Sequence, residues 1–148
     1  MSAAPAATAT RPRPGRPPSG ARERILEGAL EVLKRDGYAG LTTAKVAARS
    51  GQNKALIAYH FGSKQGLVAA VAREVAESIT EEVLSGLGDA DSPESVVRGV
   101  LEGLWRVMDG DERLSRLYFD LAAVSVVEPD VRRVMVEMRE LWRAPWWS

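Results

Sequence analysis

Between Leu41 and Lys64 the chain reads LTTAKVAARSGQNKALIAYHFGSK, and this stretch leaves few ways to fold. Thr42 suits a helix N-cap, Val46 and Ala47 supply a small apolar face, and Ser50-Gly51 stops the helix, because glycine accepts the left-handed cap conformation. A second start follows at once. Asn53 can cap a helix whose inward face is Ile57 and Phe61, four residues apart, leaving Lys54, Ala55, Leu56, Ala58, Tyr59 and His60 on outer or flanking faces. Two capped helices about a glycine turn are a helix-turn-helix. In such a unit the first helix crosses the DNA backbone and the second enters the major groove with its N-terminal residues foremost.

The rest of the chain agrees with an all-α fold. Apolar residues recur at three- and four-residue spacings, β-branched alternation is absent, and alanine is abundant. At 148 residues the chain is of single-domain length and can bury roughly two-thirds of its unfolded surface. The absence of cysteine excludes disulfides and thiolate metal sites and fits a reducing cytoplasm. The first residues hold no apolar signal core, and no run approaches the roughly 20 apolar residues of a membrane span, so a soluble, cytoplasmic protein without a membrane partner is expected.

Charge is unevenly placed. Residues 1–64 hold 11 Lys+Arg against 4 Asp+Glu, a net +7, and the remainder holds 9 against 16, a net −7. The basic half carries the helix-turn-helix, which points to double-stranded DNA as the partner and to an acidic body that phosphate repels.

Three regions follow in order. Residues 1–20 are rich in Pro, Ala and small polar residues and are expected to be a disordered basic arm. Arg11, Arg13 and Arg16 lie between prolines, and Gly15-Arg16-Pro17 resembles the centre of an AT-hook, so the arm is either a minor-groove contact or a soluble tail that raises non-specific affinity. Residues 21–62 form the DNA-binding head. Its first helix runs from about Ala21 to Asp36 with Ile25, Leu26, Ala29, Leu30, Val32 and Leu33 inward, Gly37 ends it, and Tyr38 and Leu41 pack as core beneath the helix pair.

Residues 63–148 comprise a linker helix and a partial helical body. Ser63 caps a helix to about Ser85 with Leu67, Val71, Val75, Ile79 and Val83 on one stripe, serving as a lever or as a static strut. Ser92-Pro93 opens the next, to about Asp109, with Val96, Val97, Val100, Leu101, Leu104, Val107 and Met108 apolar. A sixth runs from about Asp111 to Val127, and Glu128-Pro129 opens a seventh. Trp105, Met108, Tyr118, Phe119, Met135 and Met138 are either plain core or the adaptable walls of a ligand pocket.

No catalytic set is visible. His60 is the single histidine, without a nearby Asp or Cys, and no phosphate-cradling glycine loop occurs, so no enzyme, metal or cofactor is expected.

The string Gly51, Lys54, Ile57, Tyr59, His60, Phe61, Ser63 and Lys64 resembles the signature of the tetracycline-repressor (TetR) family. Ile25-Leu26, Ala29-Leu30, Gly37-Tyr38, Thr42-Thr43 and Val46-Ala47 extend the resemblance upstream. It implies a DNA-binding transcriptional regulator, a repressor released by a small-molecule effector. By matched position it implies phosphate contacts from Thr42, Thr43, Tyr59, His60 and Lys64, and base-edge contacts from Lys54, Ala55, Leu56 and Ala58, with Asn53 at the start of the same helix and Lys45 able to serve either role. Family members commonly carry a small hydroxyl residue where Leu56 stands, an aromatic where Ala58 stands and an apolar turn residue where Gln52 stands, so the operator does not carry over from a relative.

The resemblance also implies a homodimer built by two further helices, whereas this sequence ends at Arg143-Ala144-Pro145-Trp146-Trp147-Ser148. The expectation is a truncated or divergent member with weak self-association in place of one defined dimer. The alternative function is a helical protein-interaction or regulatory module that keeps the head but no longer binds a palindromic operator.

Overall fold

The computed structural model describes residues 20–143, with the side chains of 141–143 left aside, and its described residues form seven helices and no strand. Arg11, Arg13 and Arg16 lie outside the described residues. Helix α1 spans Ala21–Gly40, and its one interruption is Gly37 at φ 72° and ψ 179°. A side chain there would be strained, so glycine lets α1 bend toward the helix pair at the predicted place.

Helices α2 (Thr43–Ser50) and α3 (Lys54–Phe61) are the predicted pair. The Thr42 side chain accepts from the Lys45 N–H and the Asn53 side chain from the Leu56 N–H, and Gly51 at φ 68° turns the chain between them. Ser63, accepting from the Gly66 N–H, caps α4 (Lys64–Ser85), whose Leu67, Val71, Val75, Ile79 and Val83 are all buried. Helix α5 covers Pro93–Gly110, α6 Glu112–Val124 and α7 Pro129–Arg143. Helix α6 thus stops short of the predicted Val127, and Val126 and Val127 are exposed.

Helix α4 is the axis of the molecule, with α5 and α7 as its main neighbours, while α1 touches α2, α3, α4 and α6. One continuous core results. It runs from Ile25, Val46 and Ile57 through Leu67 and Val71 to Leu117, Leu121, Val131 and Val134. Head and body therefore share their apolar interior, which a reading of the chain as successive regions does not suggest.

Helix α5 is seated by its glycines. Its buried residues are Gly99 and Gly103, while Val97, Leu101, Trp105 and Met108 are exposed. A Cβ on Gly103 would stand 2.6 Å from the Val83 Cα, and one on Gly99 2.4 Å from the Gly86 carbonyl oxygen. The two backbones meet where the glycines lie, and the larger apolar residues are turned outward or to the flanks.

Candidate nucleic-acid interface and effector cavity

The α2–α3 pair presents a surface whose construction follows from its core anchor. Ile57 is 2% exposed and seats α3 on α1 and α4. With that residue inward, helical spacing turns Lys54, Ala55, Ala58 and Tyr59 out, and all four are exposed. Tyr59 is 68% exposed. Lys54 makes no ion pair among the described residues, so its ammonium is free for an anionic or carbonyl acceptor.

Other residues of the expected interface differ. Leu56 is half-buried and packs against the core from the flank of α3, one residue before Ile57. His60 is also half-buried, and its Nε2 is buried without a hydrogen-bond partner. Its ring meets Tyr59 edge-on at 5.1 Å between centroids. Thr42 is exposed and Thr43 half-buried at the start of α2. Asn53 is exposed, but its side-chain oxygen is engaged as the cap of α3 at 2.8 Å.

Several cations at this end have partners. The Lys45 ammonium lies 2.8 Å from Asp36, which Arg35 also binds. Hydrogen bonds from Arg35 and then Lys45 hold the Asp36 carboxyl well below the usual carboxylate range. The Lys64 ammonium sits 4.6 Å from the centre of the Tyr38 ring, a cation–π contact. Arg22 likewise stands over Phe61 at 5.5 Å, tying the start of α1 to the end of α3.

Tyr38 is more than core. It is half-buried, and its hydroxyl donates to Glu128 at 2.6 Å, ninety residues further along the chain. Lys34 makes a second bond of this kind, to Asp111 at 2.7 Å. Asp111 also caps α6 by accepting from the Arg113 and Leu114 N–H groups. The far half of α1 is thus fastened to the start of α6 and to the residue that precedes α7. Nothing local in the sequence announces either pair, because each joins segments that only the packing of α1 on α6 brings together.

The Glu128 bond makes a pH prediction. Hydrogen bonding to that carboxylate, then burial, pushes the Tyr38 hydroxyl up to about 12, against about 10 for a free tyrosine. Because the folded value is raised, the tie contributes fully below pH of about 10 and is lost as pH rises through about 12. An absorbance titration of phenolate formation should contain a late step that Tyr38→Phe removes, with a stability cost of about 1 kcal/mol at neutral pH. If Tyr38→Phe leaves the late part of the curve unchanged, the tie is not formed in solution.

In the body, a cavity of ≈ 470 Å³ opens between α4, α5, α6 and α7, within the size range of small-molecule sites. Met108, Tyr118, Phe119, Met135 and Met138 line it together with Ile79, Leu104, Val107, Ser115, Ala122, Ser125 and Arg139. Trp105 does not line it, and this corrects the expected pocket. Gly103 seats α5 so closely on α4 that Trp105 faces away, 68% exposed. Arg139, exposed on α7, also reaches the lining. Among the described residues no group of three or more His, Cys, Asp or Glu is placed to hold a metal. No described helix is long and apolar enough to cross a membrane.

Residues 25–71 match the model of the family described as bacterial regulatory proteins, tetR family. The chain is 26% identical over 114 residues to the HTH-type transcriptional regulator BetI of Stenotrophomonas maltophilia (strain R551-3), covering 76% of this chain and 58% of that protein. It is 38% identical over 88 residues to the HTH-type transcriptional repressor AcnR of Corynebacterium glutamicum, covering 60% of this chain and 44% of that one. Its fold is similar to that of the multidrug binding protein EbrR, solved in complex with imidazole, with a TM-score of 0.73 at 26% identity over 84% of this chain and 69% of that chain. The chain spans about half the length of the curated relatives it matches.

Proposed function

Because the chain belongs to the tetR family of bacterial regulatory proteins, we propose that it binds double-stranded DNA sequence-specifically and regulates transcription, as a cytoplasmic repressor that a small-molecule effector releases. The observation that carries this is the outward face of α3, where Lys54, Ala55, Ala58 and Tyr59 stand exposed on a helix anchored by Ile57. Residues 21–62 serve as the head and the helices from residue 63 onward as the regulatory body.

Specificity then divides by chemistry. The Lys54 ammonium can donate to guanine O6 or N7, whereas Ala55 and Ala58 offer only apolar contact, which a thymine methyl satisfies. Thr42, Tyr59 and Lys64 hold the phosphates and set register without reading sequence. The small outward side chains let the α3 backbone approach the base edges closely.

Release requires that occupancy of the cavity alter the head, and the shared core with its Tyr38–Glu128 and Lys34–Asp111 ties supports that route. A ligand that shifts α6 or the start of α7 would pull on α1, and α1 carries the helix pair. No catalytic role is proposed.

A binding selection on random duplexes, followed by salt titration of the enriched sequence, tests the function. The expected result is one enriched motif with an affinity that falls steeply with salt. Lys54→Ala should relax preference at one base pair at a cost of about 1–3 kcal/mol. If the selection returns no motif, or Lys54→Ala leaves every base preference unchanged, α3 is not the reading helix.

A further inference from the structure

We infer that the cavity selects an amphipathic ligand with an apolar body and an anionic head, a carboxylate being the simplest, seated against Arg139. This rests on the reading of the cavity as the effector site and deepens it by naming the ligand class. The walls are aliphatic, thioether and aromatic, which suits a flexible apolar body.

The polar groups decide the head. Ser125 Oγ donates to the Ala122 carbonyl at 2.6 Å, and Ser115 Oγ donates to the Val107 and Met108 carbonyls at 3.4 and 3.3 Å. Their hydrogens are committed to main chain. Arg139 is the one charged residue among the described lining residues, and it makes no ion pair or hydrogen bond among them. No Asp or Glu lines the cavity.

An anion entering this space finds a planar guanidinium able to form two parallel hydrogen bonds to a carboxylate. A cation finds no counter-charge. It would have only Tyr118 and Phe119, whose rings meet at 74° with centroids 5.7 Å apart and so make one aromatic corner instead of an enclosing cage. The Arg139 charge would oppose it.

The test is calorimetric titration of the full chain with decanoate, decanol and decyltrimethylammonium, each below its micellar concentration. Decanoate should bind at least about tenfold more tightly than the ammonium. Arg139→Gln should weaken decanoate by about tenfold and leave decanol unchanged, and Arg139→Glu should reverse the order of the two ions. Because Arg139 is exposed at the edge of the cavity, neither variant should disturb folding, which circular dichroism checks. The ligand class is overturned if the ammonium binds as tightly as decanoate, if Arg139→Gln leaves the ratio unchanged, or if the folded chain does not bind decanoate. Duplex affinity measured with and without decanoate separates the two readings. Decanoate that binds through Arg139 yet leaves duplex affinity unchanged would refute release by effector while sustaining the ligand class.

Discussion

Ala58→Glu is expected to abolish duplex binding while leaving the fold intact. Ala58 is exposed on α3, on the same outward face as Lys54 and Ala55, and glutamate is nearly as good a helix former as alanine. The new carboxylate meets neither core nor a crowded neighbour on folding. In the groove it faces base edges rich in acceptors between two rows of phosphates, and opposing like charges there cost several kcal/mol. A loss of about 3 kcal/mol or more corresponds to a hundredfold or greater drop in affinity. Ala58→Lys on the same site should instead tighten binding to all duplexes and steepen its salt dependence. Fluorescence anisotropy with a labelled duplex, beside far-ultraviolet circular dichroism, measures both. An Ala58→Glu protein that stays folded and binds within threefold of the parent would place α3 outside the groove.

The largest stability effect should come from Leu67→Ala. Leu67 is 0% exposed near the start of α4, within the core that joins head and body. Removing its side chain loses burial and leaves a space that the surrounding core fills only partly, a cost of about 2–5 kcal/mol. For a chain of this length that corresponds to a fall in melting temperature of roughly 5–15 °C. The shared core adds a sharper expectation, because destabilisation at Leu67 should lower one transition for the whole molecule. No tryptophan lies in the head, residues 21–62, so tryptophan fluorescence carries no direct signal from the head, whereas circular dichroism reports every helix. Coincident denaturant curves are expected for parent and variant. A circular dichroism curve with an early step that fluorescence lacks would show the head melting alone and would contradict a common core.

What the sequence made legible was local chemistry. Thr42, Asn53, Ser63, Ser92 and Asp111 each supply a side-chain acceptor to the N–H groups opening the following helix, and such acceptors are recognisable from residue type and the apolar spacing behind them. The long stripe of α4 was equally plain, since each turn repeats the same apolar choice. Failure came where packing, not pattern, decides. Periodicity marks large apolar side chains, so Val97, Leu101 and Met108 stood out on α5 while Gly99 and Gly103, whose lack of a side chain is what admits α4, did not. Trp105 was drawn into the pocket by the same reasoning. Leu56 was left between an outer and a flanking face because one step of helix separates the core from the surface there, and packing against the core decided for the flank. The Tyr38–Glu128 pair and the place of Arg139 depend on how α1, α6 and α7 lie against one another, and no short window of sequence contains that information.

The glycine seat of α5 bears on how such a protein can change its ligand. Where helices interlock through side chains, a substitution that reshapes a binding wall also disturbs the fit that locates the wall. Here Gly99 and Gly103 locate α5 by main chain against Val83 and Gly86, while Met108, exposed and outside the shared core, meets the cavity further along the same helix. Scaffold and selectivity are written in separate letters. Met108 can therefore be exchanged during divergence, or by an engineer seeking a new inducer, with the helix held in register and the reading surface at the other end of the molecule left as it was.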